Sequence, residues 1–303
     1  MNVIFMGTPD FAVVSLERLT EEKNINITSV VCQPDKPKGR GGRLAYPPVK
    51  EFASAHGIKV HQPQTLKDGA FAEVLEDEKP ELIIVVAYGK LLPKYVLDYP
   101  KYGCINLHGS LLPKYRGSAP IQWSVINGDK TAGVCTMYMA EGLDSGDVLE
   151  VYETEIGREE TAGELYDRLA REGAGLLCHT VQNLGGITPV PQDESKVTHA
   201  PMLSREIAKI SFDVPAEKIY NLVRGLNPWP VAYVETDKGA MKVFASEVIS
   251  GNTGKKPGER IEEKGKLIIQ TADGCISFTQ VQLQGKKRMD VSDFLRGNDV
   301  VIK

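Results

Sequence analysis

The chain has 303 residues, 42% of them hydrophobic and 25% charged, with a formal net charge of −4. That supports one large or two ordinary cores, and no stretch approaches the roughly 18 apolar residues that a membrane-spanning helix needs. A weakly acidic total does not advertise nucleic-acid binding, yet residues 205–303 carry 16 cations against 13 acids while residues 1–204 carry 20 against 27, which leaves room for a local basic face.

The first two-thirds alternates strand and helix signals. Asn2–Met6 reads as a strand. Gly7–Asp10 is a turn with Pro9 suited to an early helical position, and Phe11, Val14 and Leu19 form the apolar stripe of the helix that follows. Ile25–Cys32 predicts a second strand. Residues 34–49, dense in Pro, Gly and cations, read as a surface loop. A helix (Val49–His56), a short strand (Ile58–His61) and a helix (Asp68–Glu78) come next. Leu82–Ala87 is an unbroken apolar run, as expected of a strand covered on both faces, and Gly103–Leu107 is another strand. Ser118 is placed to cap a helix with Pro120 in its first turn, ended by Gly128. Ala132–Ala140 and Val148–Glu155 are predicted strands. Thr161–Glu164 has the spacing of a capping box and opens a long helix that Gly185 and Gly186 stop. Alternation of this kind implies an α/β domain over residues 1–188, Rossmann-like, with a mostly parallel sheet.

The pattern changes after residue 188. Residues 189–204 read as an extended polar linker. A helix around Ala216–Arg224 leads into Leu226-Asn-Pro-Trp-Pro230. Four short β runs follow: Val231–Glu235, Met241–Ile249, Leu267–Thr271 and Cys275–Leu283. Asp273-Gly274 is a two-residue hairpin signal. Closely spaced short strands over 205–303 predict a small barrel or sandwich.

Cysteines fall at 32, 104, 135, 178 and 275 with no CxxC pair. Cys32, Cys104 and Cys135 lie inside apolar runs, so buried free thiols in a reducing cytoplasm are expected rather than disulfides or zinc ligands. Met1–Asp10 has no basic leader and no cleavage pattern. The dinucleotide fingerprint GxGxxG is absent after the first strand. Pro9 and Asp10 would put bulk and negative charge where a pyrophosphate sits, so no nucleotide cofactor is expected.

Three polar residues stand out. Asn106 and His108 are two apart at the end of an apolar strand, so both project from one face of its tip. Asp144 lies in the turn Gly142-Leu-Asp-Ser-Gly-Asp147 after another strand. A parallel sheet gathers its ligand site at the carboxyl ends of its strands. Each residue alone also fits an ordinary structural role, and the weight comes from context.

That context is recognisable. Asn106-Leu-His108-Gly-Ser-Leu-Leu-Pro113, then Arg116-Gly117 and Ala119-Pro120-Ile-Gln122, together with Gly142–Asp147, resembles the signature of the folate-dependent formyltransferases. Matches at Gly7-Thr-Pro-Asp-Phe-Ala12, Gln33-Pro-Asp35, Gly39-Arg-Gly41, Pro48-Val-Lys50, Val86-Ala-Tyr-Gly89, Leu226-Asn-Pro-Trp-Pro230 and Gly285-Lys-Lys287 narrow it to the branch that acts on tRNA. Small departures at Tyr46, Pro47 and Trp123 leave the triplet intact. The resemblance implies transfer of a formyl group from 10-formyltetrahydrofolate, as co-substrate, to the α-amino group of methionine on initiator Met-tRNA. No metal, no membrane and a monomer are expected, although the sequence does not itself give the oligomeric state. Asn106 would donate to the developing oxyanion. Protonated His108 would add a second donor and pass a proton to the departing nitrogen, and Asp144 would orient it or itself help take a proton off the amine; the sequence leaves the division of that work open. Folate contacts are implied at Ser110, Leu111, Leu112 and Pro113, with an apolar wall at Val86, Ala87 and Tyr88; without the resemblance, Leu111 and Leu112 read as core.

The resemblance also places tRNA contacts in the 34–49 loop, at Lys36, Lys38, Arg40 and Arg43, with Arg40 matching the arginine that reaches between bases. A β-barrel of OB type over 205–303 would supply a second tRNA surface, with Lys286, Lys287 and Arg288 in view. Those three equally fit a solvated charge run. The rival readings are a formyltransferase for a small amine such as an amino sugar nucleotide or glycinamide ribonucleotide, a formyltetrahydrofolate hydrolase module, and a tRNA-binding protein without catalysis.

Overall fold

The structure is a computed structural model. It describes residues 1–38, 43–251 and 253–303, and of Lys38 and Arg43 the backbone alone. Two compact units are present: residues 1–120, 132–154 and 166–200 form the first, and 121–131, 155–165 and 201–303 the second.

Through residue 200 the elements run β1 (Asn2–Gly7), α1 (Asp10–Thr20), β2 (Asn26–Val31), β3 (Lys36–Lys38), β4 (Arg43–Ala45), α2 (Pro48–Ala55), β5 (Lys59–His61), α3 (Ala72–Glu78), β6 (Leu82–Val86), α4 (Lys94–Leu97), β7 (Cys104–His108), β8 (Arg116–Gly117), α5 (Pro120–Ile126), β9 (Thr131–Tyr138), β10 (Val148–Glu155), α6 (Ala162–Gln182) and β11 (His199–Ala200). The main sheet has the order β10-β9-β7-β6-β1-β2-β5. Strands β5, β2, β1, β6 and β7 are mutually parallel, and β9 is antiparallel to β7. All five residues of β6 are buried, which is why its sequence is continuously apolar rather than alternating. The strand order reverses between β1 and β6. Such a switch point is where α/β sheets bind ligands, at the carboxyl ends of the strands, and Gly7, Val86 and His108 are the last residues of β1, β6 and β7.

Helix α6 begins at the capping box. Thr161 N–H donates to Glu164 Oε2 at 2.8 Å and Glu164 N–H donates back to Thr161 Oγ1 at 3.3 Å. Gly133 in β9 has no room for a side chain: a Cβ would lie 2.1 Å from the Tyr152 carbonyl oxygen and 2.5 Å from Leu111 Cδ2. Gly133→Ala is expected to cost about 1–3 kcal/mol through overpacking, seen as a lower urea midpoint at unchanged slope.

Two segments differ from the sequence reading. Part of the 34–49 loop is a β3–β4 antiparallel hairpin with Lys36 opposite Ala45 and Lys38 opposite Arg43. Its strands are three residues each, too short for any periodicity to register, and Pro37 is tolerated because a two-stranded ribbon is all edge. Residues 188–200, read as an extended linker, hold a 3₁₀ turn at Glu194–Lys196 and are tied down. His199 and Ala200 pair in parallel with Arg116 and Gly117; Arg116 N–H donates to the Thr198 carbonyl and Ser118 N–H to that of Ala200, both at 2.9 Å. These bonds are backbone to backbone, so the side-chain pattern carries no trace of them.

The second unit adds α7 (Ala216–Gly225), β12 (Tyr233–Thr236), β13 (Gly239–Ile249), β14 (Arg260–Ile261), β15 (Leu267–Gln270), β16 (Cys275–Leu283), β17 (Met289–Asp290) and α8 (Val291–Gly297). Its sheet, β12-β13-β16-β15-β14 with β17 on β16, is antiparallel throughout. Register breaks in β13 around Ala245 bend that long strand, giving a curled half-barrel of OB-like type. Helix α7 buries Ile219, Tyr220 and Val223. All five cysteines are buried free thiols; burial pushes Cys104 and Cys135 up to about 12, so neither is a nucleophile at neutral pH.

Candidate active site

Strand β7 lies between β6 and β9, with Asn106 beside Val85 and His108 beside Cys135. Asn106 is 7% exposed and His108 5%. Among the described residues nothing hydrogen-bonds to the Asn106 side chain, although buried amides are rarely left so. Its two N–H donors are therefore available to a bound group.

His108 is held at both edges. Nε2 lies 3.0 Å from the Tyr115 carbonyl oxygen. A carbonyl only accepts, so Nε2 carries a proton. Nδ1 faces Asp144, 3.7 Å from Oδ2. That is ion-pair distance but too long for a hydrogen bond. Asp144 Oδ2 also accepts from Gly117 N–H at 2.8 Å. Within the first unit the structure thus places Asp144 beside His108, with Asn106 two residues before His108 on β7.

The supporting groups come from further along the chain. Asp144 sits at φ +47°, a left-handed conformation that L-residues adopt at a cost unless neighbours enforce it. Gln192 enforces it: its Nε2 donates to the Asp144 carbonyl at 2.9 Å and to the Gly146 carbonyl at 2.7 Å. Arg116, 6% exposed, donates to Gln192 Oε1 from Nε and Nη2 at 3.0 and 2.8 Å and pairs with Glu194 at 2.7 Å. Gly117 is at φ +127°, and a Cβ there would meet the Ala200 carbonyl oxygen at 2.6 Å. The sequence reading placed Gln192 and Glu194 in a linker and missed them. The available signal was Arg116, a cation that would need a carboxylate once buried.

The other expected contacts are dispersed. Ser110 is buried and donates to the Lys114 carbonyl at 2.6 Å. Leu111, Leu112 and Pro113 are half-buried, and the Leu112–Pro113 peptide is cis. Val86 is fully buried. Ala87, at φ +48°, is exposed at the strand end. Tyr88 corrects the expectation of a wall: its ring lies in the core cluster with Ile4, Met6 and Leu92, because the turn at Ala87 swings the next side chain inward. Its hydroxyl has no partner among the described residues, and burial pushes it up to about 12. Its carbonyl accepts from Thr8 Oγ1 and Gln33 Nε2.

Of the hairpin cations, Lys36 is exposed; Arg40 and the side chains of Lys38 and Arg43 lie outside the described residues. The foot of the hairpin is fixed by Lys50, whose Nζ donates to Asp35 Oδ2 at 2.6 Å and Gln62 Oε1 at 2.8 Å and lies 4.6 Å from the Tyr46 ring centre. Hydrogen bonds from Gln62 and Lys50 hold the Asp35 carboxyl below the usual range. In the second unit, Lys286, Lys287 and Arg288 are exposed between β16 and β17. The Arg288 guanidinium stacks 4.2 Å from the Phe244 ring centre. Among the described residues no group of His, Cys, Asp and Glu could hold a metal ion, and no helix is long and apolar enough to cross a membrane.

The formyl transferase family matches residues 1–181, and the formyl transferase C-terminal domain matches residues 202–299. Methionyl-tRNA formyltransferase of Clostridium novyi is 48% identical over 307 residues, covering 100% of this chain and 99% of that protein. The protein of that name from Agathobacter rectalis is 48% identical, covering 98% and 96%. The chain belongs to the methionyl-tRNA formyltransferase family. As a member of that family it is a folate-dependent formyltransferase. Solved structures give the same fold at low identity. The N-formyltransferase from Helicobacter canadensis in complex with folinic acid and dTDP-3-aminofucose aligns with a TM-score of 0.69 at 20% identity, covering 91% of this chain and 98% of that one. HypX from Aquifex aeolicus in complex with tetrahydrofolic acid aligns at 0.61 and 17%, covering 97% of this chain and 46% of its own.

Proposed function

We infer that the chain transfers a formyl group from 10-formyltetrahydrofolate to the α-amino group of methionine on initiator Met-tRNA, the step that prepares that tRNA for translation initiation. The observation that carries this is likeness at 48% identity along the whole length to proteins of that activity. The sugar-directed neighbours, at 18–20% identity, share the fold and lend no support to a sugar acceptor.

The reaction forms a carbon–nitrogen bond between the neutral amine and the formyl carbon and breaks the one from that carbon to the folate nitrogen. Negative charge gathers on the formyl oxygen between the two events. Asn106, with both amide donors unspent, is placed to receive it. The attacking nitrogen must lose a proton and the departing nitrogen must gain one. With Nε2 committed to Tyr115, His108 exchanges protons through Nδ1, and Asp144 faces the positive charge that forms there. The rest of the rate comes from holding the two substrates together. The pterin slot would be bounded by Ser110, Leu111, Leu112 and Pro113 with Val86 and Ala87, an apolar cleft with backbone groups for the ring edges.

Lys36, Lys38, Arg40 and Arg43 would meet the acceptor end of the tRNA, with Lys286, Lys287 and Arg288 as a second phosphate-facing set. We propose a monomer working in the cytoplasm, where charged initiator tRNA is found. Arg40→Ala is expected to raise KM for Met-tRNA about tenfold, the loss of one charge-assisted contact of roughly 1.5 kcal/mol, with KM for the folate unchanged. An equal rise in both would remove Arg40 from the tRNA side.

The deciding experiment supplies 10-formyltetrahydrofolate and compares Met-charged initiator tRNA with free methionine and an amino sugar nucleotide as acceptors. Transfer to the charged tRNA alone is expected. Transfer only to a small amine would keep the folate chemistry and discard the tRNA.

A further inference from the structure

We propose that Gln192 is a positioning residue for the reaction, acting through the backbone of the Asp144 turn; this rests on the function inferred above. The side chain is saturated. An amide has two N–H donors and an oxygen with two lone pairs, and here both donors go to the carbonyls of Asp144 and Gly146 while the oxygen takes both bonds from Arg116. With all four valences spent on fixed partners, the amide has one orientation. It is fixed in turn by Arg116, buried and paired with Glu194.

What this clamp holds is a residue that would not hold itself. Asp144 is the left-handed residue of a turn with an exposed Leu143 at its tip (51% exposed). Among the described residues its carboxylate is anchored by one hydrogen bond, from Gly117 N–H, with His108 Nδ1 3.7 Å away. Gly117 itself is held by the same strap, through pairing with Ala200. Residues 192–200 therefore fix the carbonyl side of Asp144 through Gln192 and the donor to its carboxylate through β11. Releasing the first lets the turn relax toward ordinary backbone angles and moves the carboxylate off His108. Displacements of about 1 Å at such a pair cost on the order of 10²-fold in rate.

The test uses the full-length protein in the formyl-transfer assay with Met-charged initiator tRNA. Gln192→Glu keeps the size and the acceptor for Arg116 but has no donor for the two carbonyls. Gln192→Met keeps the length, removes the donors and adds no charge. Both are expected to lower kcat about 10- to 100-fold, with KM for either substrate altered less than about twofold and the thermal midpoint close to the parent's. Each change is then repeated in an Asp144→Ala background. There it should have little further effect, since groups acting through one another are not additive. Full kcat in a folded Gln192→Glu or Gln192→Met protein would overturn the proposal. So would losses that multiply with Asp144→Ala, which would mean a general structural role. If Asp144→Ala alone kept parental turnover, the role given to Asp144 would fall and Gln192 with it. If the parent formylated no charged tRNA, the inferred function would fall first.

Discussion

His108→Ala is expected to lower kcat by about 10²–10⁴, the usual worth of a positioned general acid–base group, with folate binding retained. The geometry makes the replacement specific. Nε2 is tied to the Tyr115 carbonyl and only Nδ1 faces the Asp144 carboxylate, so no second imidazole edge stands in reserve. Two other titratable groups, on β9 and after β6, are unsuited. Cys135, beside His108 in the sheet, is held protonated by burial, and so is the Tyr88 hydroxyl, itself turned into the core. Single-turnover measurement with saturating folate separates the chemical step from binding. A folded His108→Ala protein with near-parental single-turnover rate would remove His108 from proton transfer.

Asn106→Ala is expected to cost about 10²–10³ in kcat, the loss of one oxyanion donor, again with small changes in KM. The argument is the unspent amide: a side chain 7% exposed that bonds to none of the described residues is held for a partner that arrives with substrate. Asn106→Asp sharpens the test. It keeps the shape, removes the donors and brings negative charge to the oxyanion, so it should be at least as damaging as alanine. An Asn106→Asp enzyme more active than Asn106→Ala would mean that the residue fills space. Because the Asn106 amide bonds to none of the described residues, Asn106→Ala should lower stability by only about 1 kcal/mol, whereas Asn106→Asp buries a carboxylate and is expected to cost more.

Much of this was legible in the chain. The unbroken apolar run of β6 announced a strand buried on both faces. The i, i+2 spacing of Asn106 and His108 on β7 put an amide and an imidazole on one face at a strand end. The capping box at Thr161–Glu164 fixed the start of α6. These are local or short-period signals, in which each residue's position follows from its neighbours along the chain.

The tertiary structure alone decided the rest. Which edge of His108 is free depends on the Tyr115 carbonyl, seven residues on and at φ +62°. That Tyr88 points into the core depends on a left-handed Ala87. That Asp144 is clamped depends on Gln192, 48 residues away, reached through bonds to backbone carbonyls that no side-chain pattern records. Hydrophobic periodicity encodes which face of an element is buried. It carries no information on which carbonyl a distant amide will meet, because every residue type presents the same carbonyl. The sequence thus determined the long strands and helices and the spacing of Asn106 and His108 on β7; the pairing of the short segments and the orientation of these side chains came from backbone contacts that only folding brings together.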